Sequence, residues 1–302
     1  MALAKPKRKN DFWKRATPYF MILPVVLYYA AFWVRPVITA LIGSFSDTLG
    51  HFTFQNFIMV FTDDAFLPAL YNTAIIVVFS VSLEFVGAML LALLINQKFP
   101  GSSFFLFLAM IPMALPAVAV AAMWLTGFTA HGWINSLLYH LGILELGDKI
   151  HWLATAPWAL LALVILIDAW QVIPSMMIIL LAGLQNIPPE TEEAGYVFGG
   201  TYLTVLRKIT LPLLNPTIQT AVILRLISAI QIWLIVVLLL GFSRMPLLVE
   251  RVVYYHEEVP LLDISYQMAT TYTIIVSVLV SIAALAYLGV SGAFGKGKEA
   301  KS

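Results

Sequence analysis

Long apolar runs alternate with short polar connections along this chain, and each run has the length of a bilayer crossing. About 20 consecutive apolar residues suffice for a transmembrane helix, and six such stretches stand at roughly 18–43, 66–96, 104–126, 157–185, 211–241 and 267–291. The pattern predicts an all-α fold: a polytopic membrane bundle of six transmembrane helices over 18–291, with a basic N-terminal segment 1–17 and a tail 292–302. Pro24, Pro36, Pro112, Pro116 and Pro174 fall inside the runs. In a membrane, neighbouring helices can satisfy the carbonyls that proline frees, so kinks rather than breaks are expected there. No internal repeat relates the two three-helix halves.

One connection stands apart. The stretch EEAGYVFGGTYLTVLRKITLPLLNP, residues 192–216, is polar and carries three glycines. It follows NIPPET, where a proline suits the first helical position and the acidic residues complement the positive end of the helix dipole. A short helix over about 189–198 is predicted, ended by Gly199 and Gly200, with Arg207 and Lys208 at headgroup level where the chain re-enters the bilayer. Such a helix lies across one mouth of the bundle and offers a partner something to grip.

Composition sharpens the class. Of 302 residues 61% are hydrophobic and 11% charged, far from the roughly 25% charged residues of soluble domains. The net charge of +1 comes from scattered basic residues, which excludes a nucleic-acid-binding face. Without cysteine there is no disulfide, thiolate ligand or thiol nucleophile. The N-terminus MALAKPKRKNDFWKR is basic and leads into the first run without a small-residue cleavage site, so a retained helix is expected. With that end in the cytosol, twelve of the 17 Lys and Arg residues lie in inside segments; Lys149, Arg244 and Arg251 lie outside, and Arg35 and Arg225 within spans. The positive-inside rule therefore puts both termini and the 187–210 loop in the cytosol. The outside connections at 50–66 and 132–158 mix aromatic and polar residues and predict short interfacial helices.

The polar loop resembles the EAA signature of permease subunits of bacterial ATP-binding-cassette importers. The match runs through Glu193, Ala194, Gly195 and Gly199 to Ile209 and Pro212, with departures at Gly195, Phe198 and Gly200. Further likeness lies in LPVVLYYAAFWVRPVITALIGSF, YNTAIIVV, NQKFPG and LLAGLQNIPPE, and is greatest to maltose- and trehalose-type permeases. The resemblance implies a coupling helix within 187–210 seated in a cytosolic ATPase, through Glu190, Glu193, Ala194, Gly195, Phe198, Gly199 and Gly200. It also implies a second permease subunit as heterodimer partner, two ATPase copies and an extracytoplasmic sugar-binding protein on the outside connections.

The chemistry of the chain is consistent with a transport role. There is no G-x-x-x-x-G-K-[ST] loop, G-x-S-x-G elbow or H-E-x-x-H motif, so ATP and Mg are expected on the partner ATPase, with no cofactor or metal on this chain. The five histidines lie in outside connections without ligand spacing. Arg35, Glu84, Asp168 and Arg225 lie within spans, where charges must pair or face water. Counting from the inner span ends puts Glu84 and Arg225 at one level, about 18 and 21 Å in, and Asp168 at about 25 Å. A Glu84–Arg225 pair is therefore expected, with Asp168 the poorer partner. A sugar path needs aromatic faces and amide or carboxylate groups; Trp124, Trp170, Gln171, Gln231, Trp233, Tyr266, Gln267 and Tyr272 are the candidates. The rival readings are an ion-coupled secondary transporter using Glu84 and Asp168, and an intramembrane enzyme, for which no nucleophile or metal constellation is present.

Overall fold

The computed structural model of the protein describes residues 11–145, 147–259 and 264–291. The tail and most of the basic N-terminal segment lie outside the described residues. Helix α1 (Asp11–Tyr29) begins within that segment; a π-helical turn, Ala30–Val34, joins it to α2 (Arg35–Ser44). Proline at position 36 lacks an N–H and crowds the carbonyl four residues back. The widened turn ending at Val34 accommodates this without interrupting the 29-residue span Ala16–Ser44. Next come α3 (Gln55–Thr62) and the long α4 (Phe66–Asn96).

The third apolar run is broken, not kinked. α5 (Ser102–Ala114) and α6 (Ala117–Gly127) meet at 92°. Proline disfavours helical geometry in the residue before it, and Leu115 is extended (φ −83°, ψ 132°). The carbonyl oxygen of Leu115 accepts a hydrogen bond from Gln171 Nε2 at 3.0 Å, so a neighbouring helix satisfies the broken end. The expectation of a mere kink at Pro116 is corrected accordingly. α7 (Trp133–His140) and a 3-10 turn, Trp152–Ala154, lie in the connection before α8 (Pro157–Gln185), which runs unbroken through Pro174.

The fifth span also departs from the expected 211–241. After α9 (Pro189–Val197) the chain re-enters as α10 (Tyr202–Val205), a π-helical turn Leu206–Thr210, and α11 (Leu211–Ile230), a 29-residue span from Tyr202. It stops at Gln231, and a separate short α12 (Leu234–Leu240) follows. The apolar pattern runs through the gap because α12 is itself buried, with Ile235, Val236 and Leu239 inside. α13 (Leu248–Val253), a π-helical turn Tyr254–Glu258 and α14 (Ser265–Val290) complete the described chain.

α4 and α8 pack along each other and α11 lies against both. Ala88 and Ala92 on α4 are buried with Met177 and Leu180 of α8 and Leu214 of α11, small residues letting helix backbones come close. α6 packs on α12, and α14 on α2, α11 and α13. The connection between α12 and α14, expected as an outer surface, is interior in part: Met245, Leu247, Leu248, Glu250 and Arg251 are buried, whereas Ser243, Arg244, His256, Glu257 and Glu258 are exposed. The first span is the opposite case, with none of its most apolar window buried.

Candidate functional site

One end of the bundle is shaped by α9. Pro188 and Pro189 start the helix and Glu190 and Glu192 occupy its first turn. Its far end closes with Gly199 N–H on the Tyr196 carbonyl (2.9 Å) and Gly200 N–H on the Gly195 carbonyl (3.0 Å), the paired bonds of a Schellman cap. Gly199 holds the left-handed position (φ +82°) that this cap requires. A side chain at Gly199 would meet open space, whereas a Cβ at Gly200 would lie 2.7 Å from the Gly195 carbonyl oxygen, and one at Gly195 2.6 Å from Ile209 Cδ1. Gly195 and Gly200 thus serve contacts within this chain, and only Gly199 is open to a partner.

The helix is fastened to the base of its own span. Thr210 Oγ1 donates to Glu192 Oε1 at 2.7 Å, and Gly195 lies over Val205 and Ile209. Glu190, Glu193 and Ala194 face outward with Val197 (83% exposed) and Phe198 (90% exposed). An apolar tip so far from water-shielding contacts is interface chemistry. Glu192 was not among the expected coupling residues; its place in the first turn, facing inward at the i−3 position from Gly195, is the signal that could have found it.

Deeper in, three helices meet at one guanidinium. Arg225 of α11 bonds Glu84 of α4 through both Nε and Nη2, the latter 2.8 Å from Oε1, and Nη2 also contacts Asp168 Oδ2 of α8. Ser80 Oγ stands 3.0 Å from Glu84 Oε1 and 2.7 Å from Asp168 Oδ2; Nη1 donates to Ser228 Oγ at 3.2 Å. Glu84, Asp168 and Arg225 are all buried. Asp168 is thus a full member of the cluster. Depth counting set it aside because it sits about one turn higher, but an arginine side chain spans a turn, and the fifth span starts at Tyr202 rather than 211, which removes the reference used for Arg225. Ser80, four residues before Glu84 and so on the same helix face, was also missed.

The expected path residues fall into separate groups. Trp124 stacks on Phe128 (5.4 Å) and touches Trp133 (5.5 Å) and Trp170 (5.7 Å), so its faces are covered by this chain. Gln171 is committed to the broken helix end, and Gln231 and Trp233 flank the α11–α12 gap. On α14, Tyr272 is fully buried and donates to Asp63 Oδ2 at 2.6 Å, which also accepts from Tyr255 at 2.9 Å. Tyr272 therefore clasps the outer ends of the helices together and is closed to a sugar. Burial, and then the Asp63 carboxylate it donates to, hold the Tyr255 phenol above its ordinary range. Gln267 reaches the Asp47 carbonyl only at 3.5 Å and Tyr266 lies against Gly43.

Comparison with known proteins bears on the whole chain. A family model described as binding-protein-dependent transport system inner membrane component matches residues 84–291. A trehalose/maltose transport system permease protein of Thermococcus litoralis is 32% identical over 234 residues, 74% of this chain and 76% of the relative. A sulfoquinovosyl glycerol transport system permease protein of Agrobacterium fabrum is 30% identical over 268 residues, 86% and 85% of the two chains. In fold, a chain of a bacterial alginate ABC transporter, solved with an alginate pentasaccharide-bound periplasmic protein, superposes with a TM-score of 0.82 at 22% identity, covering 95% of this chain and 99% of that one.

Proposed function

The chain belongs to the inner membrane components of binding-protein-dependent transport systems, and from that premise we propose how it works. It is a membrane-spanning permease subunit of a sugar importer of the ATP-binding-cassette type. The observation that carries the coupling role is α9: a helix bolted to one span with Val197 and Phe198 almost fully exposed at its tip. In our reading a separate ATPase, present twice, grips this tip. A second permease completes a heterodimer, a sugar-binding protein delivers cargo at the outer face, and both termini are cytosolic. Substrate-path residues remain those not committed elsewhere, Trp170, Gln231 and Trp233.

The force path follows from the contacts. Displacement of α9 passes through the Glu192–Thr210 bond and the Gly195 packing into the base of the fifth span. From Thr210 to Arg225 is about 22 Å along the helix at 1.5 Å per residue. There Arg225 binds α4 and α8, so the three helices move together and alternating access follows the ATPase cycle. The carboxylates of Glu84 and Asp168 are both held by that arginine, which speaks against their use as free ion-coupling groups.

Reconstitution in proteoliposomes with the second permease, ATPase and binding protein tests the proposal. Uptake of a sugar is expected to require ATP and all four components. Uptake by this chain without the ATPase, driven by an ion gradient, would establish the secondary-transport reading instead.

A further inference from the structure

A polar cleft of about 200 Å³ lies in the seam between α9 and the inner ends of α4 and α8. Its polar lining is Asn96, Gln97, Glu192, Tyr196, Tyr202 and Thr210. At 100° per residue, Glu192, Gly195 and Tyr196 fall on one face of α9, whereas Glu190, Glu193, Ala194 and Val197 fall on the other. The cleft is therefore on the side of the helix turned away from its outward tip.

The cleft has unused hydrogen-bonding capacity. Among the described residues, the carboxamides of Asn96 and Gln97 and the hydroxyls of Tyr196 and Tyr202 bond no protein group, and Glu192 uses only Oε1, for Thr210. None of these atoms is sealed from water, for among the described residues the buried unpartnered side-chain atoms are Trp124 Nε1 and Gln267 Oε1. Two phenol rings offer flat faces to an apolar C–H surface, while carboxamides and a carboxylate oxygen suit hydroxyl groups. No Lys, Arg or His lines the cleft and Glu192 does, which disfavours a phosphorylated or carboxylated ligand. The volume is below that of sites for drug-sized molecules and suits a single sugar ring.

We propose that this cleft is a cytosolic site for a neutral sugar of monosaccharide size, the product side of import, and that its occupancy ties α9 to α4 and α8. A ligand bridging that seam resists movement of α9 relative to the bundle and slows ATP-driven cycling. The inference rests on the importer reading above.

The test uses the complete transporter in nanodiscs, with glucose as the neutral probe and glucose 6-phosphate as the charged control. Saturable glucose binding, read by saturation-transfer NMR, is expected to weaken about tenfold in Gln97→Leu and in Asn96→Leu, as for loss of one good hydrogen-bonding group. Gln97 is exposed, so its replacement leaves the fold intact, which thermal unfolding checks. In proteoliposomes, glucose on the ATPase side should lower ATP hydrolysis in the wild type and not in either variant. Absence of saturable binding, binding that both variants leave unchanged, or equal binding of glucose 6-phosphate each overturns the proposal. Stimulation of ATP hydrolysis by loaded binding protein separates the two failures: if it persists, only this site falls; if it is absent, the importer reading falls.

Discussion

Arg225 faces two buried carboxylates rather than one, which changes what its removal does. Arg225→Met leaves Glu84 and Asp168 without their cation, and breaking a buried pair in this way costs about 3 to 5 kcal/mol. The double variant Glu84→Gln/Arg225→Met still strands Asp168 and should remain well below wild type. Neutralising all three, with Asp168→Asn added, should restore much of the loss. Thermal unfolding of the series checks this; a double variant as stable as wild type would remove Asp168 from the cluster. At the outer surface, Asp47 Oδ1 accepts from the amides of His51 (2.8 Å) and Leu49 (2.9 Å). The His51 amide, foremost, holds the Asp47 carboxyl below its ordinary value; desolvation opposes it, and the Leu49 amide and the His51 ring add to the lowering. A depressed value means the turn is fastened at neutral pH and released only as pH falls through that lowered value. Amide exchange at His51, followed by NMR, should stay protected down to about pH 4, the ordinary aspartate value, and open only below it; loss of protection between pH 5 and 7 would contradict the assignment.

Helix α9 shows how glycines in one short polar stretch divide by role. Gly200→Ala would drive a Cβ to 2.7 Å from a backbone oxygen, whereas Gly199→Ala meets nothing but adopts a left-handed φ. The second cost is about 1 kcal/mol; the first breaks the cap that ends α9. Sugar-stimulated ATP hydrolysis in intact complexes should therefore fall further for Gly200→Ala than for Gly199→Ala, and the reverse order would place the critical close approach at the partner. The existence of α9, its start at Pro189 and its glycine end were legible, because proline and glycine restrict the backbone locally. That Gly195 serves Ile209 was not, since the contact joins residues brought together only by the chain's return to the membrane.

At the scale of the whole molecule, the first span has the least buried apolar window among the described spans. Leu27, Val34 and Ile38 are 58%, 51% and 50% exposed, and the main packing of this span on a later one is that of α2 on α14. In the heterodimer reading this arm reaches the second permease. The chain has no cysteine, so Leu27→Cys gives a single reactive position. Cross-linking from it with a thiol-reactive photo-cross-linker should capture the second permease in the assembled transporter; reaction only with lipid-soluble reagents, equal in the assembled and isolated subunit, would assign the arm to lipid.

Hydropathy run length and punctuation by themselves determined the membrane class, the all-α fold, the short polar helix before the fifth span and the presence of buried charges needing partners, because each depends on solvation or on local backbone restriction. Tertiary structure alone decided the 92° break at Pro116, since an apolar run reads the same whether it continues or turns when Gln171 waits to take the freed carbonyl. It decided that α12 and the 245–251 connection are interior, for a buried short helix and a spanning one share a composition. It also decided that Arg225 serves Asp168 as well as Glu84: depth along a helix is countable from sequence, but tilt, rotation and the reach of a side chain between three helices are set only by how those helices pack.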